Sequence, residues 1–393
     1  MCEQIRNRSG GKIANQYMRR LGEYEISRSR GFVPATDPLQ KIPPAFANIE
    51  RISDELAAHI KQQSLGGSIS EIGGLDLALL NGKPEQERLF LSLCVIASAW
   101  VWGQPEANFR IPRQLAVPMT QLAAFLDRKP ILSYASMTFL NWKKTDPAGD
   151  LCAENTTLIS GFRGSSDETW FVTSSLDFEI ACTPLLATLY DAVVASTRND
   201  IDELQKQMIS LADRMYILTD AVLKVRERCD PAIFYNRVRP FFSGWSAPGV
   251  MYEGVSKTPY ILAGASAAQS PLMQTFDAAL RIQHKTSTAA FLDSMQPYMM
   301  TGHRSFIRDV KRLSTIRTLV TCSGSADLKS AYNSVTDSMN EFRRRHFQLV
   351  NDYVAKPSHQ AISRGTGGSA YVEILRDAGA ATKEASLPLK ETS

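Results

Sequence analysis

The sequence has no long hydrophobic run, no paired-cysteine motif and no strong excess of either charge. Its longest apolar stretch, residues 89–102, contains two serines. A membrane-crossing helix needs about 20 apolar residues, so this stretch suits a buried helix instead. The six cysteines (Cys2, Cys94, Cys152, Cys182, Cys229 and Cys322) are scattered without C-x-x-C spacing. That argues against a zinc knuckle or a disulfide framework and leads us to expect reduced thiols. A net charge of +4 offers no basic stripe, so neither nucleic acid nor a membrane is expected as a partner. The first 30 residues hold no apolar core of a secretory leader; the expected location is cytoplasmic. The Gly365-Thr366-Gly367-Gly368 run lacks the Lys-Ser/Thr that would follow in a phosphate loop. No stretch sustains the two-residue alternation of a half-buried strand.

What is present is helical. Leu328, Tyr332, Val335, Met339, Phe342, His346, Leu349 and Tyr353 follow one another at alternating steps of four and three. They therefore share one side of a long helix whose other face carries Lys329, Asp337, Glu341, Arg344 and Arg345. Burying that stripe carries the imidazole of His346 into an apolar interior, with Arg343 one turn away. A buried imidazole is either a hydrogen-bonded core histidine or a metal or haem ligand; the helix alone leaves both open.

Other segments repeat the pattern. A helix opened by Pro43-Pro44 runs along Phe46, Ile49, Ile52, Leu56 and Ile60. Helices are also expected over 85–102, 115–126 and 131–142. Further helices are expected over 170–190, kinked or divided by Pro184, and over 201–226. The expected fold is all-α. Residues 1–40 would be a loosely ordered basic arm, 41–128 a small α domain, and 129–393 a larger α domain with a mobile flap near 360–370.

From residue 230 the motifs become specific. Phe234-Tyr235-Asn236-Arg237-Val238-Arg239-Pro240 leads to Ser243-Gly244-Trp245 and Tyr252-Glu253-Gly254. Then come Ala263-Gly264-Ala265-Ser266-Ala267-Ala268-Gln269-Ser270, Phe276-Asp277, Gly302-His303-Arg304, Arg343-Arg344-Arg345-His346 and Gly365-Thr366-Gly367-Gly368. Upstream stand Pro130 to Tyr134, Asn141-Trp142-Lys143-Lys144, Trp170-Phe171 and Glu179-Ile180-Ala181. In this order the motifs resemble the indoleamine 2,3-dioxygenase family of haem enzymes.

The resemblance implies a large α domain holding haem b, ferrous in the active state. It implies insertion of both atoms of O2 across the indole C2–C3 bond of L-tryptophan, giving N-formylkynurenine, with an electron donor to reduce the haem. It assigns His346 to the iron, Arg343 to a haem propionate, and Phe171, Ser266 and Ala267 to the cofactor's surroundings. Phe234, Arg239, Tyr134, Phe171 and Thr366 would meet the substrate, with Arg239 on its carboxylate. Ser175, Phe234 and Arg239 would serve the reaction. Ala265 and Ala268 stand where the family usually has glycine, and Met137 where it often has a smaller residue. A modified tryptophan or another indole is therefore the alternative substrate. Two other classes remain: a haem protein of different output, such as a rearrangement enzyme or gas sensor, and a haem-free helical interaction module. Among the other histidines, His303 reads as a hydrogen-bonded structural residue, and His59, His284 and His359 as surface residues.

Overall fold

The computed structural model describes residues 17–358, 365–367 and 371–388. It is 65% helical with a few short strands, an all-α fold. The longest helix, Ala326–Val350, is capped by Ser325 Oγ, which accepts from the amide of Leu328 at 3.1 Å. Its stripe is buried from Leu328 to Phe342 and again at Tyr353. Each such side chain contributes roughly 1.5–3 kcal/mol by leaving water. His346 and Leu349 are half-buried because the stripe opens there onto a cavity.

Around this helix pack Ile201–Arg214, Tyr216–Leu223 and the C-terminal Tyr371–Glu384. The apolar 166–197 stretch is two helices, Ser166–Ala181 and Thr183–Thr197, with Pro184 in the first turn of the second, where its missing N–H costs nothing. The run is long and apolar enough to cross a membrane by composition, but its first helix lends Phe171, Ser174, Ser175 and Phe178 to the cavity wall.

Several expectations need correction. Residues 131–142 form only a single wide turn, Ala135–Phe139. The 201–226 stretch breaks at Met215. Trp245–Tyr252 is a strand, pairing antiparallel with Tyr260–Leu262 and parallel with Arg110–Ile111. A register shift between Trp245 and Val250, where Gly249 takes φ +93°, erases the alternation that would have betrayed it. Residues 17–40 are not a loose arm: Leu21, Tyr24, Ile26, Phe32 and Val33 join the core, and Tyr24 donates to Asp309 at 2.8 Å. Residues 1–16 and His359 lie outside the described residues.

The thiols and histidines also depart from expectation. Cys94, Cys152, Cys182 and Cys229 are free, whereas Cys322 is disulfide-bonded, which no local spacing announced. His303 is wholly buried, yet neither ring nitrogen has a partner among the described residues. Phe32 and Phe139 meet its ring edge-on at 4.9 and 5.5 Å instead. Burial drives its pKa down to about 3, helped by Lys83 and Arg128. His59 is half-buried, with Nδ1 2.9 Å from Ser64 Oγ. His284 is also buried, at 7% side-chain exposure.

Candidate active site

The cavity, 340 Å3 in volume, lies between the Ala326–Val350 and Ser166–Ala181 helices, the 234–242 turns, the 263–270 loop and the C-terminal helix. Tyr134, Phe171, Ser175, Phe234, Arg239, Ser266, Ala267, Arg343, His346 and Thr366, singled out on the sequence, all border it.

One wall is the long helix. Phe342 stacks on the His346 ring at 5.9 Å and 11°, and Phe178 stacks on Phe342 in turn. The His346 ring makes no hydrogen bond among the described residues, so its open surface is cavity wall. Burial holds its pKa down near 4, and the charge of Arg343 adds to that. The imidazole is therefore neutral at physiological pH with a lone pair to give, the state a metal requires. One turn back, Arg343 donates to the Ala378 carbonyl at 2.7 Å and to Asp277. Its Nε is buried without a partner among the described residues.

Opposite stands an aromatic group. The Phe171 and Phe234 rings are 4.3 Å apart, Phe242 lies 5.7 Å from Phe171, and Tyr353 meets Phe234 edge-on at 5.8 Å. Arg239 sits over the Tyr235 ring at 5.3 Å, and burial lowers its pKa without discharging it. Ser175 Oγ donates to the Phe171 carbonyl at 2.9 Å and Ser174 Oγ to the same oxygen at 3.1 Å. Both hydroxyls are thus engaged by their own helix.

The third side is the 263–270 loop. Gly264 crosses Gly244 so closely that a methyl on either would overlap backbone of the other segment. Thr366 lies across both. Its carbonyl accepts from Gly244 N at 3.3 Å and Gly264 N at 3.1 Å, and its hydroxyl donates to the Ala265 carbonyl at 2.7 Å. Ser266 Oγ accepts from Ala268 N at 3.3 Å. Met137, Ala265 and Ala268 border the same space.

Sequence reasoning gave no role to Glu179. It lies behind Tyr134, accepting from the Tyr134 hydroxyl at 3.0 Å and from Ser270 Oγ at 2.6 Å. The Tyr134 amide donates to Gln269 at 2.8 Å. The Tyr134 hydroxyl is thus directed away from the cavity contents. Burial raises the Glu179 carboxyl to about 7, with Oε2 unpartnered among the described residues. A raised carboxyl means the folded chain holds this proton more tightly than the unfolded one. The stabilisation is complete below the ordinary carboxyl range and is lost as pH rises through about 7. Glu179→Gln, uncharged at every pH, is therefore expected to flatten the fall in melting temperature between about pH 5 and 8; calorimetry at several pH values checks it.

The donor set fits a haem: a neutral imidazole with free nitrogens, an apolar enclosure, and a buried guanidinium with an uncommitted N–H for a carboxylate. Among the described residues no cluster of His, Cys, Asp and Glu suits a metal held by side chains alone.

Comparison with known proteins agrees. Indoleamine 2,3-dioxygenase 1 of Rattus norvegicus is 32% identical over 390 residues, covering 93% of this chain and 96% of the relative. The indoleamine 2,3-dioxygenase nanC of Aspergillus nanangensis is 29% identical, covering 91% and 95%. A protein named myoglobin from Haliotis diversicolor is 26% identical, covering 91% and 96%. The indoleamine 2,3-dioxygenase family profile matches residues 20–385, and with that span the chain belongs to the indoleamine 2,3-dioxygenase family of haem-dependent dioxygenases.

Proposed function

We propose that the chain inserts both atoms of O2 across the indole C2–C3 bond of L-tryptophan, giving N-formylkynurenine, with His346 on the iron of haem b. The observation that carries this reading is one apolar cavity with Arg239 on one wall and, on another, a neutral imidazole that makes no hydrogen bond among the described residues. Bound haem supplies the centre at which dioxygen is activated.

The chain's own residues do the rest. Phe171 and Phe234 present ring faces to an indole. Arg239 pairs with the substrate carboxylate in a site drier than water, where a charge-assisted bond is strong. Arg343 turns its spare N–H to a haem propionate, with Ser266 and Ala267 along the cofactor's edge. Thr366, beside Ala265, closes the amino-acid end. Ser174, Ser175 and Tyr134 have their hydroxyls committed elsewhere, so this reading assigns no side chain to deliver a proton. Ser175 instead shapes the wall. That suits addition of oxygen to an electron-rich ring, where position and exclusion of water carry the rate. A separate electron donor keeps the iron ferrous, and a cytoplasmic location is part of the proposal.

A second reading takes a modified tryptophan or another indole as substrate. Met137, Ala265 and Ala268 on the cavity border favour it, as does the similarity to a fungal enzyme. Similarity to a protein named myoglobin raises a third output, dioxygen binding without turnover.

Incubating reduced holoprotein with tryptophan under 18O2 and weighing the product decides among them. A product heavier by both labelled atoms supports the first reading. Unchanged tryptophan from a protein that binds dioxygen normally overturns it. Thr366→Val keeps the two bonds to the Thr366 carbonyl and loses the hydroxyl's bond to Ala265. With about 1 kcal/mol at stake, kcat/KM is expected to fall about fivefold while the haem spectrum stays the same; steady-state kinetics beside an absorption scan checks it.

A further inference from the structure

Behind Arg343 lies a buried chain of charge that the reaction does not use. Asp277 on the Pro271–Leu280 helix meets Arg343 through Oδ1 and His284 Nε2 through Oδ2, the latter at 2.8 Å. The three side chains are 10%, 7% and 7% exposed. His284 Nδ1 and Arg343 Nε are both buried without partners among the described residues.

The neighbouring charges are engaged elsewhere. On the same turn, Arg281 donates to the Ser314 carbonyl at 2.8 Å, and Lys285 pairs with Asp377 of the C-terminal helix at 2.7 Å. From the Ile316–Cys322 helix, Arg317 donates to the Tyr332 hydroxyl and the Ala385 carbonyl. On the long helix, Glu341 pairs with Arg344 and Arg345. The balance inside the cluster is therefore set by three groups. With a neutral imidazole, Arg343 and Asp277 cancel.

We propose that His284 is a proton-binding counter-charge for a carboxylate held at Arg343, so that capture of a haem propionate draws one proton from solvent onto His284 Nδ1. The added carboxylate leaves the cluster one negative charge in excess, in surroundings too dry to screen it. Protonation restores neutrality, with Nε2–H still donating to Asp277. Without the carboxylate, a proton on Nδ1, which has no partner among the described residues, brings no such gain. His284 is a positioning residue here, since it reaches the cofactor only through Asp277 and Arg343.

The inference rests on Arg343 facing a propionate, and the test separates the two ideas. The apo chain is titrated with haem in weak buffer carrying a pH indicator, and haem loss to a scavenging apoglobin is timed across pH. Above the ordinary imidazole range, wild type should take up about one proton per haem, and its affinity should fall about tenfold per pH unit. His284→Gln keeps a donor to Asp277 and should bind haem with neither effect. Iron protoporphyrin dimethyl ester, which has no free carboxylate, should bind wild type without proton uptake. This comparison needs no variant and decides the matter if the glutamine protein does not fold. Equal proton uptake with haem and its ester, or an unchanged pH slope in His284→Gln, overturns the counter-charge. No Soret band from wild type and haem removes the cofactor seat itself, and the proposal with it.

Discussion

His346→Ala yields a folded chain that does not retain haem. Alanine is the best helix former, and position 346 faces a cavity, so the Ala326–Val350 helix loses little when the ring goes. What disappears is the one imidazole that, among the described residues, stands on the wall with uncommitted nitrogens. The expected result is loss of the Soret band after gel filtration, with the unfolding free energy of the apo chain within about 1 kcal/mol of wild type. Free imidazole added with haem should restore part of the band by filling the space the ring left. His303→Ala is the control. Its ring is enclosed by Phe32 and Phe139 and is not on the cavity border. That variant should keep the wild-type spectrum and lose stability instead. A full Soret band in His346→Ala, or its loss in His303→Ala, would show that the iron is held elsewhere.

Arg239→Ala separates recognition of the amino-acid end from recognition of the ring. Removing one partner of a desolvated charge pair typically costs about 2–5 kcal/mol, or roughly thirty- to several-thousand-fold in kcat/KM. The loss should fall chiefly on KM for tryptophan, because in the proposed reading the guanidinium meets the carboxylate in ground and transition states alike. An indole without a carboxylate should bind Arg239→Ala and wild type with similar, weak affinity. Lysine at 239 should recover only part of the loss, since a point charge cannot fork onto two oxygens. Steady-state kinetics with tryptophan, beside spectral titration with indole, checks this. Equal losses for both ligands would mean that Arg239 supports the fold rather than the substrate.

Local regularities were the legible part of this chain. The long helix could be read because its stripe repeats along one continuous segment, and Pro184 marked a break because its ring acts on its own backbone. Partnerships across the chain could not be read. Tyr134 and Glu179 are 45 residues apart, and Asp277 and Arg343 are 66 apart. No periodicity links such pairs, although both carboxylates lay inside motifs already noticed. His284 looked exposed because its sequence neighbours are polar, whereas its partner is contributed from the helix before it. The apolar residues from Leu21 to Val33 lack helical spacing because they belong to turns, which bury side chains without a period. The strand at Trp245–Tyr252 was hidden by its own irregular register.

Arg343 and His346 ride on one uninterrupted helix, three residues apart, which sets them about 4.5 Å apart along its axis. On the proposed assignment, the helix works as a ruler between the group offered to the iron and the group offered to the porphyrin's acidic rim. Loops around the cavity are free to diverge in length and composition without disturbing that gauge. A one-residue insertion between the two positions would turn them about 100° relative to one another and miscalibrate the seat for every substrate at once.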